Sequence, residues 1–499
     1  MFAPKRIICL ALILVPLGLG PAPHTGLAVA QWSPPVRISE PGGCSYPHIL
    51  AQGDTLHVVY TNSRGGEKIS YVKSTDRGEN WTPARVLSDT INSGSTRYAH
   101  TLRWGAGLLE VWRMAFYHGI YTDNIAYRIS SDNGATWNVE EYVLNPNWEH
   151  PFFMTADGAD SLVNLMMSSW TGDSAAFFSI RSTNFGQTWS MPRRIFNAYD
   201  SGRSDITFSD SLVHFSWGGK FDSRLHWETY YVRSTDAGVT WSNNVPLSEV
   251  DQHHSYDPAI CTNGSGGVEL TWMDFKYAPP GFTGDIFFRH STDRGMSWSP
   301  EVQITDRHKS TLSDIVSVAE TLYVVWQDER PENGHFSIYF SQSTDGGQTW
   351  SEEYRLDGDS LESRQPALAA SNGAVYAVWA ETRYSPDTSG LYFSRWPLEP
   401  DAVEEENEIV KPEMIYLTVY PNPFNSSTFI TYSGLTEKGE LGIYDIQGHL
   451  VRSIKLEGKK GKTEWDGTDA AGKSVASGIY LARLLSGDHS REIKLIYLK

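Results

Sequence analysis

Arginines, carboxylates and tyrosines recur through this 499-residue chain in short segments that each precede an apolar run. They are Arg97-Tyr98-Ala99-His100, Trp148-Glu149-His150, Arg203-Ser204-Asp205, His253-His254-Ser255-Tyr256-Asp257, Ser313-Asp314 and Arg364-Gln365. Guanidinium groups grip a carboxylate through charge-assisted hydrogen bonds, each contributing roughly 1.5–3 kcal/mol. A tyrosine beside a carboxylate base can serve as a nucleophile, and a separate carboxyl group can protonate a leaving oxygen. Gathered in one place, these residue types suit an anionic sugar. The plainer reading is that strand-end arginines and aspartates pair with neighbouring strands. His253 and His254 with Asp257 have metal-ligand chemistry, but no further ligand spacing supports a metal site, and no cofactor is expected.

An internal repeat would bring these segments together. The pattern Ser-x-Asp-x-Gly-x-x-Trp occurs at 74–81, 130–137, 234–241, 291–298 and 343–350, and at 182–189 with Asn184 replacing the aspartate. Within it the Asp side chain can accept backbone amides, the Gly can take positive φ, and the Trp can cover the turn. Its aspartates therefore read as structural acceptors. Around each copy lie further strand signals, such as Val58-Val59-Tyr60, Leu270-Thr271-Trp272 and Ile338-Tyr339-Phe340. Copies spaced 52 to 57 residues apart fit one four-stranded sheet each. The last repeat, from Arg364 to Trp396, lacks the pattern. The N-terminal Trp32-Ser33-Pro34-Pro35-Val36-Arg37-Ile38 resembles Trp298-Ser299-Pro300-Glu301-Val302-Gln303-Ile304, so it can complete that final sheet. The expected fold is all-β, a seven-bladed propeller over 31–396, with six blades plus an irregular segment as the alternative.

Composition agrees with many short strands: 18 Trp, 25 Tyr and 43 Gly. Charged residues at 20% beside 40% hydrophobic ones oppose a mostly disordered chain. A net charge of −18 opposes nonspecific binding to nucleic acid or anionic membrane. Lys5, Arg6, an apolar run over 7–20 and Ala28-Val29-Ala30 read as a secretory signal peptide, 1–30, too short to span a bilayer. No other stretch is a transmembrane candidate. Beyond it Cys44 and Cys261 remain, expected as isolated thiols. An acidic stretch at 397–412 reads as a linker, and 413–499 returns to alternating strands, a small β-sandwich.

The repeated pattern resembles the Asp-box, and 31–396 resembles the BNR-repeat, sialidase-like propellers. The tail resembles the type A C-terminal sorting domain of the type IX secretion system, an immunoglobulin-like β-sandwich. That resemblance rests on Tyr420-Pro421-Asn422-Pro423-Phe424-Asn425, Ile443-Tyr444-Asp445-Ile446-Gln447-Gly448, Trp465-Asp466-Gly467 and Ser477-Gly478-Ile479-Tyr480. It implies a Gram-negative bacterium, export through the outer-membrane secretion machinery, and a secreted or cell-surface location. The sialidase resemblance implies an arginine triad, here Arg97, Arg203 and Arg364, with Trp148 and Tyr98 beside the substrate. It further implies a nucleophile pair, Tyr256 with Glu149, and an acid, Asp205 or Asp257. Sialidases carry their first arginine in Phe/Tyr-Arg-Ile-Pro, whereas this chain reads Ser45-Tyr46-Pro47-His48-Ile49, without one. The expected function is therefore a monomeric, exported propeller that binds or hydrolyses an extracellular glycan or glycoprotein, as an exo-glycosidase if active. The alternative is a noncatalytic propeller that binds carbohydrate or protein at the cell surface.

Overall fold

Second strands set the plan of the molecule. Thr55–Asn62, Leu212–Lys220, Thr321–Asp328 and Ala374–Glu381 are buried along nearly their whole length, on both faces. A strand with no wet face needs a neighbouring layer on each side. In the computed structural model, residues 32–397 and 416–498 are described, apart from 65, 89–94, 118–120, 145–150, 173, 210, 223–225, 264–265, 280–282, 307–308, 330–333, 359–361, 382–388, 421, 423, 434–438, 457–459 and 487–488. The expected signal peptide and nearly all of the expected linker lie outside the described residues, as do Trp148 and Glu149. The chain divides into two compact units, Met1–Ala402 and Val403–Lys499.

The first unit is built from seven four-stranded antiparallel sheets in a blade-like arrangement, and no helix occurs among the described residues. The first sheet runs Cys44–Gln52, Thr55–Asn62, Lys68–Ser74, Arg85–Val86, in chain order, and the next five repeat that order. First strands pack on one another in succession, and Ser363–Ser371 of the last sheet returns to Cys44–Gln52 of the first. The last sheet takes its outer strand from the other end of the unit. Val36–Arg37 pairs with Gly390–Pro397, Val36 facing Phe393. Trp32 anchors that join at 5.0 Å from Phe340 and 5.8 Å from Trp396.

Each Ser-x-Asp-x-Gly-x-x-Trp segment closes on itself. In the copy at 130–137, Ser130 Oγ donates to Asp132 Oδ1 (2.8 Å) and accepts from Gly134 N (2.8 Å), while Thr136 N and Oγ1 donate to the same carboxylate (2.7 and 2.6 Å). The Thr136 hydroxyl and amide hold Asp132 down at about 2, and Thr349 does the same for Asp345. These carboxylates are turn acceptors, with no capacity left for acid catalysis. Asn184 keeps the geometry, accepting from Ser182 and from Thr188 N. Most of the tryptophans pack edge-on against third-strand rings of the preceding sheet, while Trp241 meets Phe215 of its own sheet. Pairs such as Trp137–Tyr71, Trp298–Tyr231 and Trp350–Phe288 lie 5.0 to 5.4 Å apart.

Toward the centre, one sheet's side chain captures a backbone amide of the next sheet's first strand. Thr101 N donates to His48 Nδ1 (3.2 Å), Phe208 N to Asp157 (3.0 Å), Ile260 N to Asp205 (2.9 Å) and Leu368 N to Asp314 (2.7 Å). Burial raises these carboxyls, Asp157 and Asp314 to about 6 and Asp205 to about 7.

The second unit holds a three-stranded sheet, Tyr416–Tyr420, Thr428–Ser433 and Lys460–Trp465, and a four-stranded sheet ordered Leu450–Leu456, Gly439–Asp445, Gly478–Ser486, His489–Tyr497. Trp465 is fully buried between them, 5.1 Å from Tyr480 and 5.6 Å from Phe424. Cys44 and Cys261 are free thiols.

The seam carboxyls fix a pH dependence. Each binds its proton more tightly folded than unfolded, where a carboxyl titrates near 3.9, so the stability it lends is complete below about pH 4 and is withdrawn as pH rises toward 7. Asp314→Asn should lower thermal stability at pH 4 and make its decline between pH 4 and 7 shallower. An unchanged slope would show that Asp314 does not titrate in this window.

Candidate functional site

The first strands do not run straight. Their pairing with second strands slips at corresponding places, between Ser45/His48, Arg97/His100, Ser201/Ser204, Tyr256/Ala259, Thr311/Asp314 and Arg364/Ala367. The first residue of the slip is left-handed at Tyr46 (φ 52°), Tyr98 (57°), Asp257 (55°), Leu312 (50°) and Gln365 (56°). Such backbone is strained for side chains of this size and persists where the surroundings over-determine it. A bulge re-aims the side chain it carries. Here the bulged residues converge on one cavity of about 160 Å³, lined by Tyr46, His48, Tyr98, His100, Phe153, Arg203, Asp257, Leu312, Ser313 and Gln365.

One wall is aromatic. Tyr46 lies 4.9 Å from Tyr98, and Tyr98 5.6 Å from Phe153. The Arg203 guanidinium stands 5.6 Å from the Tyr46 ring centre and has no salt-bridge partner among the described residues. Asp257 is the only carboxyl group among the described lining residues. Burial raises its pKa, and the positive charge of Arg203 opposes the rise. Burial and the adjacent Tyr46 raise the Tyr98 hydroxyl, again against Arg203. His48 and His100 lie 4.9 Å apart with their rings tilted, and burial lowers them to about 4 and about 3. Both imidazoles are therefore neutral at pH 7, able to hydrogen-bond without adding charge. The Gln365 side chain accepts Tyr46 N (2.8 Å) while Gln365 N donates to Gln327 (2.8 Å), locking two bulges together. No group of three or more metal-ligating side chains occurs among the described residues.

The residues singled out from sequence divide sharply. Arg203, Tyr98 and Asp257 meet in the cavity. Arg97 stands over the same Tyr46 ring as Arg203, 5.9 Å from its centre, but it is not among the described lining residues, and its terminal nitrogen and Nε donate to Glu67 (2.8 and 3.3 Å). Arg364 bonds to Glu362 and stacks over Phe336 at 4.2 Å. The expected triad is thus one arginine, because the other two are neutralised by carboxylates beside them. Tyr256 also turns elsewhere, packing near Phe275 (5.6 Å) and Trp227 (5.9 Å), while the bulge that follows it aims Asp257 into the cavity. Asp205 has both oxygens occupied, by Ile206 N and Ile260 N (2.9 Å each), so it is a seam acceptor. Glu149 and Trp148 lie outside the described residues.

Tyr46, His48 and Phe153 were not foreseen as site residues. A signal for Tyr46 was present: Tyr46-Pro47, Asp257-Pro258 and Gln365-Pro366 are matching dipeptides at matching points of their repeats, and each marks a bulge.

Among solved structures, the chain is similar to a protein of unknown function from Dyadobacter fermentans DSM 18053, at 12% identity over 75% of this chain and 100% of that one, with a TM-score of 0.50. It is also similar to an ulvan lyase of polysaccharide lyase family PL25, solved bound to -[GlcA(1-4)Rha3S]-, at 11% identity over 73% of this chain and 96% of that one, with a TM-score of 0.52. At such identities the likeness shows a shared fold. No curated protein matches the chain. Residues 418–498 match the secretion system C-terminal sorting domain. The chain therefore ends in a sorting domain that directs it through the type IX secretion system to the cell surface or the medium.

Proposed function

We propose that the first unit is a seven-bladed propeller that binds an anionic glycan outside the cell, at the mouth of its central channel. The observation that carries this is Arg203, a cation without a salt-bridge partner among the described residues, held over Tyr46 at the end of an aromatic wall. A sugar ring would lie against Tyr46, Tyr98 and Phe153, and its carboxylate would reach Arg203. The neutral imidazoles of His48 and His100 would meet its hydroxyls. The glucuronate-containing saccharide bound by the ulvan lyase of similar fold supports this class of ligand. A sialidase-type clamp calls for three arginines on one carboxylate, and Arg203 is the one arginine among the described lining residues, so the proposal is for anionic sugars as a class. On the same reading, 1–30 is a signal peptide, 397–412 an acidic linker and 413–499 an immunoglobulin-like sorting domain.

Titration with uronate-bearing and sialylated oligosaccharides, beside neutral ones of equal length, should show binding to the anionic set. Arg203→Ala should weaken it roughly 10- to 100-fold, the worth of one charge-assisted bond. Equal affinity for neutral sugars, or an Arg203→Ala protein that binds like the native one, would sink the proposal.

Asp257 favours a second reading, glycoside cleavage. A buried carboxyl with a raised pKa, facing the cavity, has the character of a proton donor. Asp257→Asn preserves a residue that tolerates the left-handed backbone, so it tests chemistry apart from folding. If the site cleaves its ligand, this variant should lose at least 100-fold in turnover while keeping its affinity. Turnover that survives the change would remove Asp257 as the acid.

Deleting 413–499 should leave the protein in the periplasm when cell fractions are blotted. Undiminished appearance at the surface or in the medium would contradict the role given to the tail.

A further inference from the structure

Most second-strand tryptophans are accounted for by packing. Counting four residues on from Leu108, Val213, Val268 and Leu322, each paired with the serine that opens the following motif, gives Trp112, Trp217, Trp272 and Trp326, all fully buried. In the third sheet the equivalent residue is Val163, opposite Ser182, and four residues on stands Met167, also fully buried. Trp170 lies three residues farther out and is 38% exposed, so blade packing does not explain it. Beside it, Phe152 is 47% exposed. The two rings stand on adjacent strands, Pro151–Ala159 and Leu162–Thr171, with centres 6.4 Å apart.

From there the rings continue inward. Phe152 lies 6.5 Å from Phe153, Phe153 5.6 Å from Tyr98, and Tyr98 4.9 Å from Tyr46, beyond which stands Arg203. The last three rings line the cavity, while the first two stand in solvent outside it. Paired exposed aromatics joined to a cavity mark a binding surface, because water exacts a cost for leaving them open.

We infer that Trp170 and Phe152 are an outer subsite for sugars beyond the two nearest Arg203, so that the ligand is a polysaccharide chain bearing carboxylates. The inference rests on the channel-mouth reading and extends it from a single sugar to a polymer. A sugar presents C–H faces to aromatic rings and hydroxyl edges to water, and a run of rings ending at one cation fits a chain entered by an anionic residue.

The test compares glucuronate-containing oligosaccharides of two and eight residues by isothermal titration. Native protein should bind the octasaccharide about tenfold more tightly than the disaccharide. Trp170→Ala with Phe152→Ala, both at exposed positions, should erase that difference and leave disaccharide affinity unchanged, whereas Arg203→Ala should weaken both ligands. An octasaccharide that keeps its advantage in the double variant would overturn the outer subsite and leave the cavity reading intact. If neither length binds the native protein, both readings fall.

Discussion

A four-stranded sheet of this size has two apolar faces and no means of burying either alone. The consequence runs through the whole first unit: second strands are buried along both faces, and most of the motif tryptophans pack on rings of the preceding sheet. A closed ring satisfies every sheet at once, and the pairing of Val36–Arg37 with Gly390–Pro397 joins its ends. Closure also explains the polar interior. Near the centre, first strands stand side by side with few ladder partners between sheets, so His48, Asp157, Asp205 and Asp314 take up amides that would otherwise be buried unpaired. Those carboxyls hold their protons to higher pH than solvated ones do, because a hydrogen bond can be satisfied there more readily than a charge.

The same crowding shapes the site. Five bulged residues with φ between 50° and 57°, including Tyr, Leu and Gln, each carry strain on the order of 1–3 kcal/mol. That strain survives because ladder pairs on either side of the slip fix the strand, and because links such as Gln365 to Tyr46 N leave the bulge no alternative. Side chains are thereby aimed at a common centre from several sheets. Precision at the mouth comes from the ring as a whole, and a loop-built site would lack it.

How much of this could be read in the sequence follows from the range of each interaction. The Ser-x-Asp-x-Gly-x-x-Trp turn was legible because its Ser and Asp side chains close their hydrogen bonds within eight residues, as Ser130 and Asp132 show. The four-strand unit was legible from period and spacing. The arginine cluster was not, because strand-start position says nothing of direction. Arg97 turns to Glu67, thirty residues away in chain, and Arg364 to its neighbour Glu362. Tyr256 and Asp257 differ by one position, but the bulge between Tyr256 and Ala259 aims only Asp257 into the cavity, and the position of a bulge is set by contacts between sheets. Trp170 sits on a second strand as the buried tryptophans do, and register alone separates it from them.

Charge makes the final distinction among the arginines. The chain carries a net −18, so an anionic sugar approaches against a repulsive field unless a local cation offsets it. An arginine already paired with glutamate contributes little to such a site, since its carboxylate partner would have to be displaced and resolvated. Arg97 and Arg364 are both in that position, whereas Arg203 meets a ring face and the partly buried Asp257. Burial raises the Asp257 pKa and Arg203 opposes the rise, yet the two groups make no salt bridge among the described residues. An arriving carboxylate therefore finds at Arg203 a cation whose strongest interaction is still unmade, and the rings beside it supply the contact area that a single ion pair lacks.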